Sequence, residues 1–220
     1  MRRARGGLIE DGSPADPANI VETAADLPGD VEVTEGQGLP PKDAGRKEGT
    51  GMAANQGEAD KEIRSQLVST LESGHNHMAL AEATKAFPTS AINSRLPRVP
   101  YSFWHLVEHI RLSQKDMIDY MTSTSYEEPL FPQGYWPGKN TRATSAQWRQ
   151  SLEQFRTDLE AVIELVRDPT RDLFVTAPNS AGKHTFFRCC LVIADHNSYH
   201  IGELAIGRKV AGLWPKGRKD

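Results

Sequence analysis

The sequence predicts an all-α protein, a four-helix bundle with one long crossover connection. Three observations carry that expectation. From residue 58 onward apolar residues recur every three or four positions, the period of a helix face, and no stretch alternates as a half-buried strand would. The periodic segments are long enough for four helices of several turns each. About twenty residues rich in proline, glycine and aromatic side chains separate the second segment from the third. That length is unusual inside a compact domain but is expected of a crossover between bundle helices that are not antiparallel neighbours.

The first helix places Ile63, Leu67, Val68 and Leu71 on one face and then meets Gly74. Leu80, Ala83 and Phe87 repeat by three and four and stop at Pro88, so the helix is expected to break or kink near Gly74. The second should start near Val99–Pro100, because proline suits a first turn, and carries Phe103, Leu106, Ile110, Met117 and Met121 before ending around 122–125. Thr144 and Gln147 have the spacing of a capping box and open the third helix. Its stripe of Trp148, Leu152, Phe155, Leu159, Val162 and Val166 is a heptad seam that needs a helical partner, and Asp168–Pro169 stops it. The fourth helix runs from about Thr185 to Leu213, with Phe186, Cys189, Ile193, His196, His200, Leu204 and Gly207 on its seam.

Composition divides the chain. Residues 1–51 hold 9 of the 18 glycines, 5 of the 14 prolines and no aromatic residue, with 6 basic against 10 acidic side chains. Such a segment buries too little apolar surface to offset its chain entropy. Residues 1–56 are therefore expected to be a disordered tail and 57–220 the bundle domain. Met52 is a candidate start of translation; the alternative is that the tail serves an interaction. A net charge of −3 over 220 residues, and a pI near 6.2, give no bulk electrostatic case for nucleic acid. The basic C-terminal stretch reads as a solvated terminus. The longest apolar run, Cys189–Ala194, falls far short of the ~18 residues a membrane helix needs, so no membrane partner is expected. Arg2, Arg3 and Arg5 precede no apolar stretch, and the two adjacent cysteines make no disulfide framework. The expected location is cytoplasmic.

Histidines interrupt the apolar seams. His196 and His200, four apart, lie on one face of the fourth helix at a spacing from which two imidazoles can reach one metal ion. Left without partners in a bundle seam, they would cost several kcal/mol. On the second helix His109 falls on the seam with Leu106, Ile110 and Met117, whereas His105 falls on a more polar flank with Glu108, Lys115 and Asp119. His109 is accordingly the third candidate ligand and His105 a solvated or edge residue. Three histidines with a fourth position open is the pattern of a catalytic metal site. Glu203, one turn beyond His200, could be a weak ligand, an acceptor behind the ligands or a general base, and is the candidate catalytic residue. Tyr120, Tyr135, Trp136 and Tyr199 are candidates for the mouth of the site. His75, His77 and His184 read as surface, capping or structural residues, and Cys189 as a small core residue.

The second-helix segment YSFWHLVEHIRLSQKDMIDY, the fourth-helix segment LVIADHNSYHIGELAIGRKVAGLW and the intervening GYWP (Gly134–Pro137) together resemble the DinB/YfiT-like family of metal-dependent bundle proteins. The resemblance spans roughly residues 58–215. It implies an up-down-down-up bundle with a long connection after the second helix, and a divalent metal, commonly zinc or nickel, held at His109, His196 and His200. Some relatives are enzymes that use a low-molecular-weight thiol as cosubstrate, including bacillithiol transferases and mycothiol-dependent isomerases. The family often has glutamine where Glu203 stands here.

Two functions follow as expectations. The first is a metal-dependent enzyme that activates a water or a low-molecular-weight thiol at a three-histidine site, of thiol-transferase or hydrolase type. The alternative is a non-catalytic, metal-binding, stress-related bundle that works as a homodimer through the apolar faces of the second and fourth helices. A third reading is a plain bundle whose histidines hydrogen-bond one another.

Overall fold

A computed structural model of the chain describes residues 50–72 and 77–215. Residues 1–49 of the expected tail, the proposed break at Gly74, His75 and the last basic residues lie outside the described residues, whereas residues 50–56, expected in the tail, are helical. Helices α1 (Thr50–Leu71), α2 (Leu80–Ala83), α3 (Phe103–Thr122), α4 (Ser145–Arg167) and α5 (Phe186–Val210) follow one another, with a 3-10 turn at Thr89–Ala91. The four long helices form a four-helix bundle, and among the described residues there is no strand beyond two isolated bridges.

Local chemistry sets the helix ends. Thr144 Oγ1 accepts from the Gln147 backbone N–H while Gln147 Oε1 accepts from the Thr144 N–H, the reciprocal capping expected from their spacing. α3 begins at Phe103 rather than near Val99–Pro100, because the Ser102 hydroxyl accepts from the His105 N–H and the preceding chain is extended, bridging Arg95 to Ser102. α5 stops at Val210, three residues before Leu213. Gly212 adopts φ +65°, and the N–H groups of Gly212 and Leu213 donate to the carbonyls of Lys209 and Arg208, a left-handed C-terminal cap that glycine accepts without strain.

Two apolar clusters fill the bundle. One joins the first turns of α3 (Phe103, Leu106, Ile110) and of α4 (Trp148, Phe155) to Ile201 and Leu204 late in α5, with Leu80 to Ile92 closing that end. The other joins the late residues Met121 of α3 and Val162 to Val166 of α4 to Phe186–Ala194 at the start of α5, and to Leu67, Val68 and Leu71 of α1. Hence α3 and α4 run parallel, α5 runs against them, and α1, which leads toward the Leu80 end, runs with α5: up, down, down, up. The 22 residues between α3 and α4 are the connection that parallel neighbours require.

Polar side chains lie between the two clusters. Buried Asn197 donates to buried Gln114, which donates to the Phe155 carbonyl, so α5, α3 and α4 are tied at mid-height. Two arginines add polar ties where segments join the bundle. Arg64 donates to the carbonyls of Val166, Asp168 and Arg171 at the end of α4. Arg208, fully buried, donates to those of Ala83, Lys85, Ala86 and Leu213 and lies over the rings of Phe87 and Trp214. Among the described residues no helix is long and apolar enough to cross a membrane.

Candidate metal centre

His109 from α3 and His196 and His200 from α5 meet in that mid-height polar layer. One ring nitrogen from each lies within 4.8 Å of the other two. The ring centroids are 4.6–5.1 Å apart and the rings meet edge to face, which avoids stacking the imidazoles on each other. The antiparallel packing of α3 on α5 brings them together, and the i, i+4 spacing sets both α5 rings on one face.

Each ring is oriented by its surroundings. His109, 1% exposed, donates from Nδ1 to the Tyr135 carbonyl at 3.0 Å and stacks on Trp136 at 3.9 Å between centroids and 7° between planes. His200, 3% exposed, donates from Nδ1 to Glu203 Oε2 at 2.9 Å, and the Tyr101 hydroxyl donates to the other oxygen of that carboxylate. With Nδ1 as the donor, Nε2 of each neutral ring carries the lone pair. His196 keeps one edge accessible, yet its Nε2 is buried with no hydrogen-bond partner, as is Oδ1 of the adjacent Asn197.

Burial favours the neutral rings. Desolvation, with His109 adding, pushes His196 down to about 3; desolvation, then His196 and His109, pushes His200 down to about 2. Neutral imidazole is the form that binds a metal, and imidazole suits zinc, copper, iron and nickel. A buried, unpartnered ring nitrogen facing two further imidazoles is what a metal ion would satisfy and hydrogen bonding within this trio does not. The donor set therefore fits a divalent ion.

The crossover forms part of the site. Half-buried Asp116 accepts from the hydroxyls of Tyr126 and Tyr135, at 2.9 and 2.8 Å, which holds the Tyr135 carbonyl over His109. His105 is not the solvated residue expected: it is 3% exposed, with Nδ1 2.5 Å from Ser102 Oγ and Nε2 3.2 Å from the Gly138 carbonyl. The crossover covers its flank, which the helix periodicity alone does not register. Burial is the main force holding His105 below its ordinary pKa.

Of the aromatic residues expected at the mouth, Trp136 and Tyr135 contact His109, and Tyr199 lies edge-on to His200, 52% exposed. Tyr120 is elsewhere, hydrogen-bonded to His184 at the opposite end of the bundle. His77 is half-buried. Cys189 is fully buried in the second apolar cluster, its thiol pushed up to about 11 by desolvation, so it is an inert core residue. Tyr101 had no signal in the sequence, since it lies 102 residues from Glu203.

A four-helix bundle with three imidazoles converging from two facing helices defines the class of bundle proteins with a candidate metal site in the core. The model of the DinB superfamily matches residues 74–204, and the chain belongs to that superfamily. No curated protein and no solved structure matches it.

Proposed function

We propose that the chain is a cytoplasmic, divalent-metal-dependent enzyme, of thiol-transferase or hydrolase type, in which Nε2 of His109, His196 and His200 hold one zinc or nickel ion. The observation that carries this reading is the convergence of three imidazoles around a buried, unpartnered Nε2 of His196. The ion would supply Lewis-acid polarisation, lowering the pKa of a water or low-molecular-weight thiol at the position that three protein ligands leave open. The chain's residues supply the rest. The Tyr135 carbonyl and the Glu203 carboxylate fix two ring orientations and raise the basicity of those rings. Trp136 shields His109. Glu203 is the carboxylate in contact with the trio and is the group to hold a proton, accepting through Oε2 from His200 and through Oε1 from Tyr101. Residues 57–220 suffice for this activity, and the segment up to 56 is dispensable.

The test compares the zinc- or nickel-loaded chain with His196→Ala, using glutathione or cysteine with 1-chloro-2,4-dinitrobenzene for thiol transfer and 4-nitrophenyl acetate for hydrolysis. The reading expects a rate above background with one of the two, lost in His196→Ala. Equal rates for the two proteins in both assays contradict it.

One observation favours the non-catalytic dimer as a second reading. α5 buries one face, yet Leu191, Tyr199, Ile206 and Val210 on its other face are 42–70% exposed, so apolar side chains also stand on its outer side. Sedimentation of the wild type beside Ile206→Glu tests it: a dimer that the substitution dissociates supports this reading, and a monomeric wild type contradicts it.

A further inference from the structure

A cavity of about 450 Å³ lies between α5 and the chain that leads into α3, with Leu96, Val99, Phe103, Leu106 and Ile206 among its walls. Its size falls in the range of small-molecule pockets, and its lining is mostly apolar. The one charged side chain in that lining is Glu203, with the Tyr101 hydroxyl beside it. The three histidines are not part of the wall; the cavity meets the metal centre through the carboxylate that orients His200 and through Tyr199, edge-on to the same ring.

Two glycines of α5 separate space the fold needs from space it leaves. A Cβ on Gly207 would sit 3.1 Å from Leu96 Cδ1 and 3.3 Å from Phe103 Cε1, so Gly207 lets α5 pack against the entry to α3. A Cβ on Gly202 would meet nothing within 4 Å, although Gly202 also lines the cavity. A mid-helix glycine weakens a helix relative to alanine. At residue 202 it relieves no contact within the chain, and a larger side chain there would take up space of the cavity beside Glu203.

We propose that this cavity binds an amphipathic small molecule, with an aliphatic or aromatic body against Leu96, Val99, Phe103 and Ile206 and an amine or hydroxyl head at Glu203. Charge decides the head group: a carboxylate at the wall of an otherwise apolar pocket attracts a cation or a hydrogen-bond donor and repels an anion. The site requires no metal, so it stands or falls separately from the metal centre.

The experiment is calorimetric titration of the metal-free full chain with octylamine, 1-octanol and octanoate at pH 7, beside Gly202→Phe and Val99→Trp, which plug the cavity from opposite walls. Thermal melts confirm that each variant folds. The proposal expects saturable binding of octylamine and octanol, octanoate at least tenfold weaker, and a loss of more than tenfold in both variants. Glu203→Gln should erase the preference for octylamine over octanoate. Octanoate binding as well as octylamine, undiminished binding in either folded plugged variant, or absence of saturable binding overturns it. So does a wild-type dimer that binds none of the three and that Gly202→Phe dissociates, since the cavity is then filled by a second copy of the chain.

Discussion

His200 and Glu203, one helical turn apart on α5, are joined through Nδ1 and Oε2 at 2.9 Å, and Tyr101 donates its hydroxyl to the second oxygen of the same carboxylate. The pair sets which nitrogen of His200 faces His109 and His196. Glu203→Ala removes that constraint, and metal affinity should fall about 10–100-fold, the usual cost of losing a partner behind a ligand. Tyr101→Phe should fall between Glu203→Ala and wild type. Competition against a chromophoric chelator measures both.

The crossover should be coupled to the metal centre through Asp116. Asp116→Ala leaves the hydroxyls of Tyr126 and Tyr135 without their shared acceptor and loosens the carbonyl over His109. A loss of about 2–3 kcal/mol is expected from the two broken hydrogen bonds. Metal affinity should fall with it, whereas Asp119→Ala, whose exposed pairing with Lys115 lies outside this network, should leave affinity unchanged. Urea unfolding and the chelator assay together check this.

Arg208 holds the chain around Ala83–Ala86 and the C-terminal turn to α5 through four carbonyls. Arg208→Met keeps much of the volume but strands those acceptors, so a loss of at least about 3 kcal/mol is expected in chemical denaturation. Arg156→Met, which removes two exposed ion pairs of α4, should leave stability almost unchanged.

Acid should weaken the fold as pH falls below the ordinary histidine value. Burial, as the largest cause, holds His105 and His184 below their ordinary value of 6.5. The unfolded chain then binds protons on these rings that the folded chain refuses, so stability rises with pH across this window. The contribution is present above about 6.5 and is lost as pH falls through that value toward the lower folded values. The urea midpoint should be lower at pH 5.5 than at pH 7.5, and His184→Gln should narrow the difference.

Where local chemistry decides structure, the sequence was legible. The heptad seam of α4 is buried along its length at Trp148, Phe155, Val162 and Val166, and the Thr144–Gln147 cap forms as its spacing implies. The interruption of the seams by His109, His196 and His200 led to the residues that converge. What was not legible depends on distant chain. His105 reads as solvated until the crossover covers it. Arg208 reads as a solvated charge until the carbonyls of Ala83 to Ala86 arrive from another element. Tyr101 and Glu203 meet only through the packing of the α3 entry on α5. The start of α3 was misplaced because a proline suggests a first turn, whereas the hydroxyl of Ser102 makes the cap.

The central claim, that three histidines hold one metal ion, is tested most directly by elemental analysis of untagged protein. The wild type is compared with His109→Ala, His196→Ala and His200→Ala, each checked for folding by circular dichroism. The account predicts about one divalent ion per chain in the wild type and its loss in all three variants. No metal in the wild type after reconstitution with zinc or nickel, or full retention in a folded His196→Ala protein, would contradict it.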